Sequence, residues 1–154
     1  MVNDTTNAKA TKTERNSAPV PMPDQTDRLS APFWKAANGR RLAIQRCDEC
    51  KEFHHPPVGL CPHCRSDKLS FTEVSGRGKV YSWAIVRGAR IAAFEDKVPY
   101  IVASIELNDA PGVFLLSNMP GTVAEEMRHD MPVTVVFDEI AEGIFIPQFE
   151  SAEA

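Results

Sequence analysis

The sequence predicts a mainly β chain in which a short helix and a metal-holding ribbon precede a five-stranded barrel of the OB type. Three observations carry that reading. Two Cys-x-x-Cys pairs, Cys47/Cys50 and Cys61/Cys64, stand ten residues apart. Five short runs of alternating hydrophobicity follow them, and a glycine pair, Gly76 and Gly78, separates the two regions. The implied organisation is a tail over residues 1–28, helix plus ribbon over 29–78, and barrel over 79–150.

Residues 1–28 are rich in Thr, Asn, Ala, Pro and Lys and poor in large apolar side chains. A stretch of that composition buries too little surface to offset its ordering entropy, so it is expected to be disordered. At Ser30-Ala31-Pro32 the pattern becomes that of a helix start, with a capping serine and an early proline. Phe33 to Asn38 continues the helix and Gly39 ends it. So short a helix is marginal alone, and Phe33 and Trp34 must dock either on their own domain or on a partner surface. Leu42 to Arg46 then alternates like a strand leading into the first cysteine pair.

Two residues between thiolates let one tight turn aim both sulfurs at a single ion. Two such turns complete the tetrahedral four-sulfur shell that zinc prefers. All four cysteines of the chain are used, so one structural zinc on Cys47, Cys50, Cys61 and Cys64 is expected; iron is compatible with the same thiolates. A redox pair would need one Cys-x-x-Cys opening a helix in a βαβ unit, and the surroundings here are strand-like. With four thiolates the shell is filled, which leaves His54, His55 and His63 outside it and His63 facing solvent.

Beyond the ribbon, Gly76 and Gly78 mark a bend that needs residues without a Cβ. The strand runs are Val80–Val86, Tyr100–Leu107, Val113–Asn118, Val133–Asp138 and Ile144–Phe149. Alternation places Tyr81/Trp83/Ile85, Ile101/Ala103/Ile105/Leu107 and Val133/Val135/Phe137 toward the core. Thr122 to Arg128 reads as a helical turn with a threonine cap and a glutamate three residues on. Five strands with a short helix between the third and fourth give the OB reading.

Composition narrows the function classes. The chain has 154 residues, 43% hydrophobic and 25% charged, with no apolar run of membrane-spanning length and no secretory pattern near Met1. A cytoplasmic, reducing setting is the expectation. The net charge of −4 is uneven, with five bases against twelve acids over residues 79–154. No activated nucleophile is legible: the cysteines are committed to metal, three of the four histidines lie in the ribbon, and His129 reads as a solvated loop residue. A closed four-sulfur site also leaves no position for a reactive water. The chain alone is therefore not expected to be an enzyme.

Arg41 to Cys47, the paired knuckles, Val74 to Ser82, Val98 to Val102 and Ile146 to Phe149 occur in an order that resembles one known family. It is the zinc-ribbon/OB-fold family first catalogued as domain of unknown function 35, and the likeness covers about residues 29–150. Lys51 departs from the pattern, which commonly has a knuckle glycine there. The resemblance implies a rubredoxin-like ribbon and an accessory role beside thiolase-superfamily enzymes that make or break carbon–carbon bonds next to acyl-CoA thioesters. Some members accompany hydratases, and in some complexes the barrel helps hold the CoA thioester.

Two function classes follow. One is a non-catalytic subunit of a thiolase-like acyl-CoA complex, with Phe33 and Trp34 as partner contacts and Arg87, Arg90 and Lys97, beside Phe94, for the CoA phosphates. The other is a nucleic-acid-binding OB module. A single-strand binder needs a basic groove with exposed aromatics. The acidic balance of the barrel segment opposes it, as does the core-facing placement expected for Tyr81 and Trp83. No nucleic-acid or membrane partner is expected.

Overall fold

The computed structural model describes residues 19–152, so residues 1–18 of the expected tail lie outside the described part. Residues 19–28 lead into the first helix without regular structure of their own. Their turns are built by two aspartates. Asp24 accepts from the Thr26 backbone N–H and hydroxyl at 2.8 and 2.7 Å. Asp27 accepts from the Ser30 N–H and hydroxyl at 2.8 and 2.7 Å.

Helix α1 spans Ala31–Asn38 with its proline in the first turn, as expected. The serine cap is corrected: Ser30 makes no side-chain cap bond, its backbone being helical, at φ −93° and ψ −15°, rather than extended as a cap requires. Gly39 ends the helix with φ −85°, and the left-handed residue is Arg40, at φ 55°. That strain is partly offset by the Arg40 guanidinium, which lies 4.8 Å from the centre of the Phe145 ring. The helix buries Phe33, Ala36 and Ala37.

The ribbon is a three-stranded antiparallel sheet, with β1 (Leu42–Cys47) between β2 (Phe53–His54) and β3 (Leu69–Val74). Buried Gln45 clamps the loop beyond β2 in two directions. Its Nε2 donates to the Val58 carbonyl at 3.0 Å, and its Oε1 accepts from the Val58 N–H at 2.8 Å.

The second sheet holds β4 (Arg77–Val86), β5 (Tyr100–Leu107), β6 (Phe114–Asn118), β7 (Pro132–Ala141) and β8 (Ile144–Ser151) in the order β6-β5-β4-β7-β8. All five expected strands are present. The barrel, however, does not close: the edge strands β6 and β8 share no ladder. They meet through the Ser117 hydroxyl, which donates to the Pro147 carbonyl at 2.9 Å. Pro147 has no N–H to give in return, so a backbone ladder is weakened at that point.

One facing is also corrected. The β4–β5 register slips between Val80 and Ser82, leaving Tyr81 as an extra residue. A bulge of this kind switches which alternate residues face inward. Gly78 and Val80 are therefore buried, Tyr81 is 56% exposed, and Trp83 and Ile85 return to half-buried positions. Ile101, Ala103, Ile105 and Leu107 are all buried as expected, and Val133, Val135 and Phe137 lie in or against the same core. The expected turn near Thr122 is a 3-10 turn at Ala124–Glu126, with Val123 rather than Thr122 at its cap.

Phe33, Leu42 and Ile44 from the helix and ribbon share a single hydrophobic cluster with Val80, Ile105 and Phe149 of the second sheet. The hinge between the sheets is the glycine pair. Gly76 has φ +72°, and a Cβ there would collide with Val135 Cγ1. A Cβ on Gly78 would sit 2.6 Å from the Glu106 carbonyl oxygen and 2.8 Å from Ile105 Cγ2. Among the described residues no helix is long and apolar enough to cross a membrane.

These contacts predict that Gly78→Ala lowers unfolding free energy by about 1–3 kcal/mol through overpacking. Gly76→Ala adds the left-handed penalty, ~1–2 kcal/mol, to a similar clash. Urea unfolding of both variants measures this, and a loss below about 0.5 kcal/mol for both, the level of neutral surface changes, would show that the join is not tight.

Candidate metal centre and cavity

Each cysteine pair sits on a turn whose backbone is closed the same way. The Lys51 N–H donates to the Cys47 carbonyl at 3.0 Å, and the Arg65 N–H to the Cys61 carbonyl at 2.8 Å. Cys47 and Cys61 N–H groups in turn reach the carbonyls of Glu52 and Ser66, both at 2.9 Å. Lys51 and Arg65 hold φ of 69° and 62°, the left-handed region where glycine is the usual choice. Lys51 accepts that conformation, and its ammonium donates to the Asp48 carbonyl at 2.6 Å.

The four sulfurs lie within 4.8 Å of one another. Cys47 Sγ is 3.6 Å from Cys64 Sγ, and Cys50 Sγ is 3.5 Å from Cys61 Sγ. Sulfurs each ~2.3 Å from one tetrahedral ion would stand about 3.8 Å apart, so the donor set fits zinc. All four thiols are free of disulfides. The Cys50 N–H pulls the Cys47 thiol down, to about 6, against the opposing effect of burial. Cys50 is lowered by the Glu52 N–H, yet burial and the adjoining thiols of Cys61, Cys64 and Cys47 override this and push it up to about 12. Four thiolates in one place therefore need a cation to ionise together.

The histidines stand apart from this cluster. His63 is exposed, as expected. His55 packs 5.3 Å from the Phe33 ring, and its pKa is lowered by burial. His54 Nε2 is buried without a hydrogen-bond partner. His129 is exposed, as expected of a loop residue, and its ring lies 5.6 Å from Trp83 and 6.5 Å from Tyr81.

At the other end of the second sheet lies a cavity of about 920 Å³. Its floor is apolar, with Ile85, Tyr100, Ile101, Met119, Ile140 and Ile146. Trp34 of α1 forms one wall, and the β6–β7 connection from Met119 to Glu125 forms another. The β4–β5 connection, a 3-10 turn over Ala92–Lys97 where a loop was expected, brings Phe94, Arg87 and Lys97 to the same space. Lys97 Nζ sits 5.3 Å from the centre of the Phe94 ring. Two carboxylates, Glu125 and Asp138, also line it.

Three of the nominated side chains, Trp34, Arg87 and Lys97, thus share one cavity. Arg90 is exposed and is not part of its lining. Phe33 is 5% exposed and packs edge-on against Trp34 at 4.9 Å, so it is spent on this chain's own core. Sequence reasoning missed Val20 to Pro23, which also line the cavity. The signal was present in the alternation of apolar residues with Pro19, Pro21 and Pro23, but it sat inside a segment whose average composition is polar.

Two family models match in succession: the rubredoxin-like zinc ribbon domain of ChsH2 over residues 34–70, and the ChsH2 C-terminal OB-fold domain over residues 71–138. A solved structure titled "Ltp2-ChsH2(DUF35) aldolase" is 36% identical, with TM-score 0.75, covering 82% of this chain and 97% of that one. The chain belongs to the DUF35 family. The match to a rubredoxin-like zinc ribbon domain and the four-sulfur geometry agree on one structural zinc per chain. A probable enoyl-CoA hydratase alpha subunit of Thermomonospora curvata is 35% identical over 94% of this DUF35 chain. The chain spans a little under half of that relative, 44%. The benzoylsuccinyl-CoA thiolase subunit BbsA of Thauera aromatica is 29% identical, over 80% of this chain and 85% of its own length.

Loss of one ligand should release the metal and melt the ribbon. Cys61→Ser is expected to drop zinc from about one per chain to below a tenth, because binding in such sites is worth on the order of 10 kcal/mol or more. Elemental analysis measures the metal. Retention of zinc by this variant would contradict a ligand role for Cys61.

Proposed function

We propose that this chain is a non-catalytic subunit of an acyl-CoA complex, in which a thiolase-superfamily partner supplies the nucleophile and base. Zinc, on Cys47, Cys50, Cys61 and Cys64, would supply only structural closure of the ribbon. The observation that carries the proposal is the cavity, where an apolar floor meets Arg87 and Lys97 at one connection. That pairing suits a thioester: the acyl group is drawn to the floor by desolvation, and the phosphates of CoA to the two cations through charge-assisted hydrogen bonds. Cavities of this size hold ligands of roughly drug-like dimensions, about 300–1,000 Å³. Two of the similar proteins are named for CoA thioesters, an enoyl-CoA hydratase subunit and a benzoylsuccinyl-CoA thiolase subunit, and a third is named an aldolase.

The cysteine sulfurs converge on one point and are not available as nucleophiles under this reading. Trp34, half-buried at the cavity wall, is the aromatic proposed to meet the partner. Buried aromatics of this kind tend to dominate interface energetics. Arg90 and Phe33 drop out of the proposed contacts on their positions.

The nucleic-acid reading gains one point and is still the less supported. Tyr81 is exposed, its ring tilted against Phe114 with centroids 4.9 Å apart, which is the kind of surface a base can use. Lys79, on the same strand, is tied to Asp130 at 3.0 Å and Glu106 at 3.6 Å, leaving it poorly placed to neutralise a phosphate.

Calorimetric titration of the full chain with octanoyl-CoA tests the thioester site. Arg87→Ala and Lys97→Ala should each weaken binding about tenfold, as expected for one charge-assisted contact of ~1.5–3 kcal/mol. Arg90→Ala should leave it unchanged. Equal affinity in all four proteins would remove the assignment.

A further inference from the structure

The charges that line the cavity are sorted by element. Both cations, Arg87 and Lys97, belong to the β4–β5 connection, whereas the carboxylates belong elsewhere, Glu125 to the β6–β7 connection and Asp138 to β7. Among the described residues no ion pair joins one set to the other. Glu95 and Asp96 share the 3-10 turn with Lys97 but are not in the lining. A ligand with one anionic end is therefore drawn to one connection and repelled from the other walls, since charges act strongly where water is partly excluded.

The cationic connection also carries two rings. Phe94, within it, and Tyr100, at the start of β5, both line the cavity and are half-buried. Their centroids are 6.3 Å apart and their planes meet at 44°, so the two rings are not stacked on each other. The Lys97 ammonium, 5.3 Å from the centre of Phe94, keeps a cation at the side of that ring. An aromatic face beside cations is a combination that holds nucleotides: the base stacks on the ring and the phosphates meet the charges. We propose that the β4–β5 connection is a mononucleotide subsite, with a base stacked on Phe94 and its phosphates held by Arg87 and Lys97. A longer run of phosphates would have to pass Glu125 or Asp138, which favours a single nucleotide over a nucleic-acid strand. That the nucleotide is the adenine end of a CoA thioester rests on the function proposed above; the subsite itself rests on the placement of ring and cations.

The test is calorimetric titration of the full zinc-loaded chain with adenosine 3′,5′-bisphosphate, which has a base and phosphates but no thioester arm. Phe94→Leu keeps an apolar side chain and removes the stacking face, so it should weaken binding about tenfold, the scale of one base stack. Phe94→Tyr should keep the original affinity. Inorganic pyrophosphate, which has no base, should bind all three proteins alike. No binding of the bisphosphate, equal binding by Phe94→Leu, or the same loss with pyrophosphate would overturn the subsite. So would a single-stranded oligoadenylate that binds more tightly than the bisphosphate. Octanoyl-CoA separates this inference from the reading it rests on. If octanoyl-CoA binds and the bisphosphate does not, only the subsite falls. If the bisphosphate behaves as expected and octanoyl-CoA binds no more tightly than it, the subsite stands and the thioester reading falls.

Discussion

The backbone contact at Gly76 and Gly78 is the constraint on which the rest of this molecule depends. Two sheets that differ in size and purpose are joined there with no space for a single carbon between Gly76 and Val135 or between Gly78 and Glu106. Because the join is tight, β3 and β4 run as one path from the ribbon into the second sheet. It lets Phe33, Leu42 and Ile44 share a core with Val80, Ile105 and Phe149. The helix and ribbon add only Phe33, Leu42 and Ile44 to that cluster, so they depend on the second sheet for a core, the usual difficulty for modules of their size. The zinc cluster closes the far end of the ribbon, where hydrophobic burial is least available.

That arrangement separates two roles along the chain. The metal end holds geometry and is saturated, with four sulfurs facing one another and left-handed residues stabilised by backbone bonds. The other end holds space. There α1 is fixed to β8 through Asn38 and Arg40, which sets Trp34 against the floor supplied by β4, β5, β7 and β8. Under the function proposed above, an apolar cavity with two cations at its edge is suited to hold a substrate for chemistry performed by another chain.

Much of this was legible in the sequence, and for identifiable reasons. Cysteine spacing is a direct statement about ligand geometry, so the four-sulfur cluster followed from it. Uninterrupted alternation, as in Tyr100–Leu107, gave both the strand and its buried face. Alternation failed at Tyr81 because a bulge inserts one residue without any mark in the pattern. The cap at Ser30 failed because the turn built on Asp27 puts Ser30 in a helical backbone conformation rather than the extended one a cap requires. Closure of the barrel depends on how two distant edges meet, at Ser117 and Pro147, and no local signal encodes that. Val20 to Pro23 escaped notice for a similar reason: composition averaged over residues 1–28 hides four residues that line one cavity with residues as distant in the chain as Ile140 and Ile146.

The most direct measurement is hydrogen–deuterium exchange of the full zinc-loaded chain with and without octanoyl-CoA. The account predicts new protection confined to the segments that surround the cavity: the residues beside Pro21 and Pro23, the β4–β5 connection from Arg87 to Lys97, and the β6–β7 connection from Met119 to Glu125. The knuckles around Cys47 and Cys61 should not change. Protection that appears instead on the exposed face of Tyr81, Phe114 and Leu116, or at the metal cluster, would contradict the separation of a structural end from a ligand-holding end.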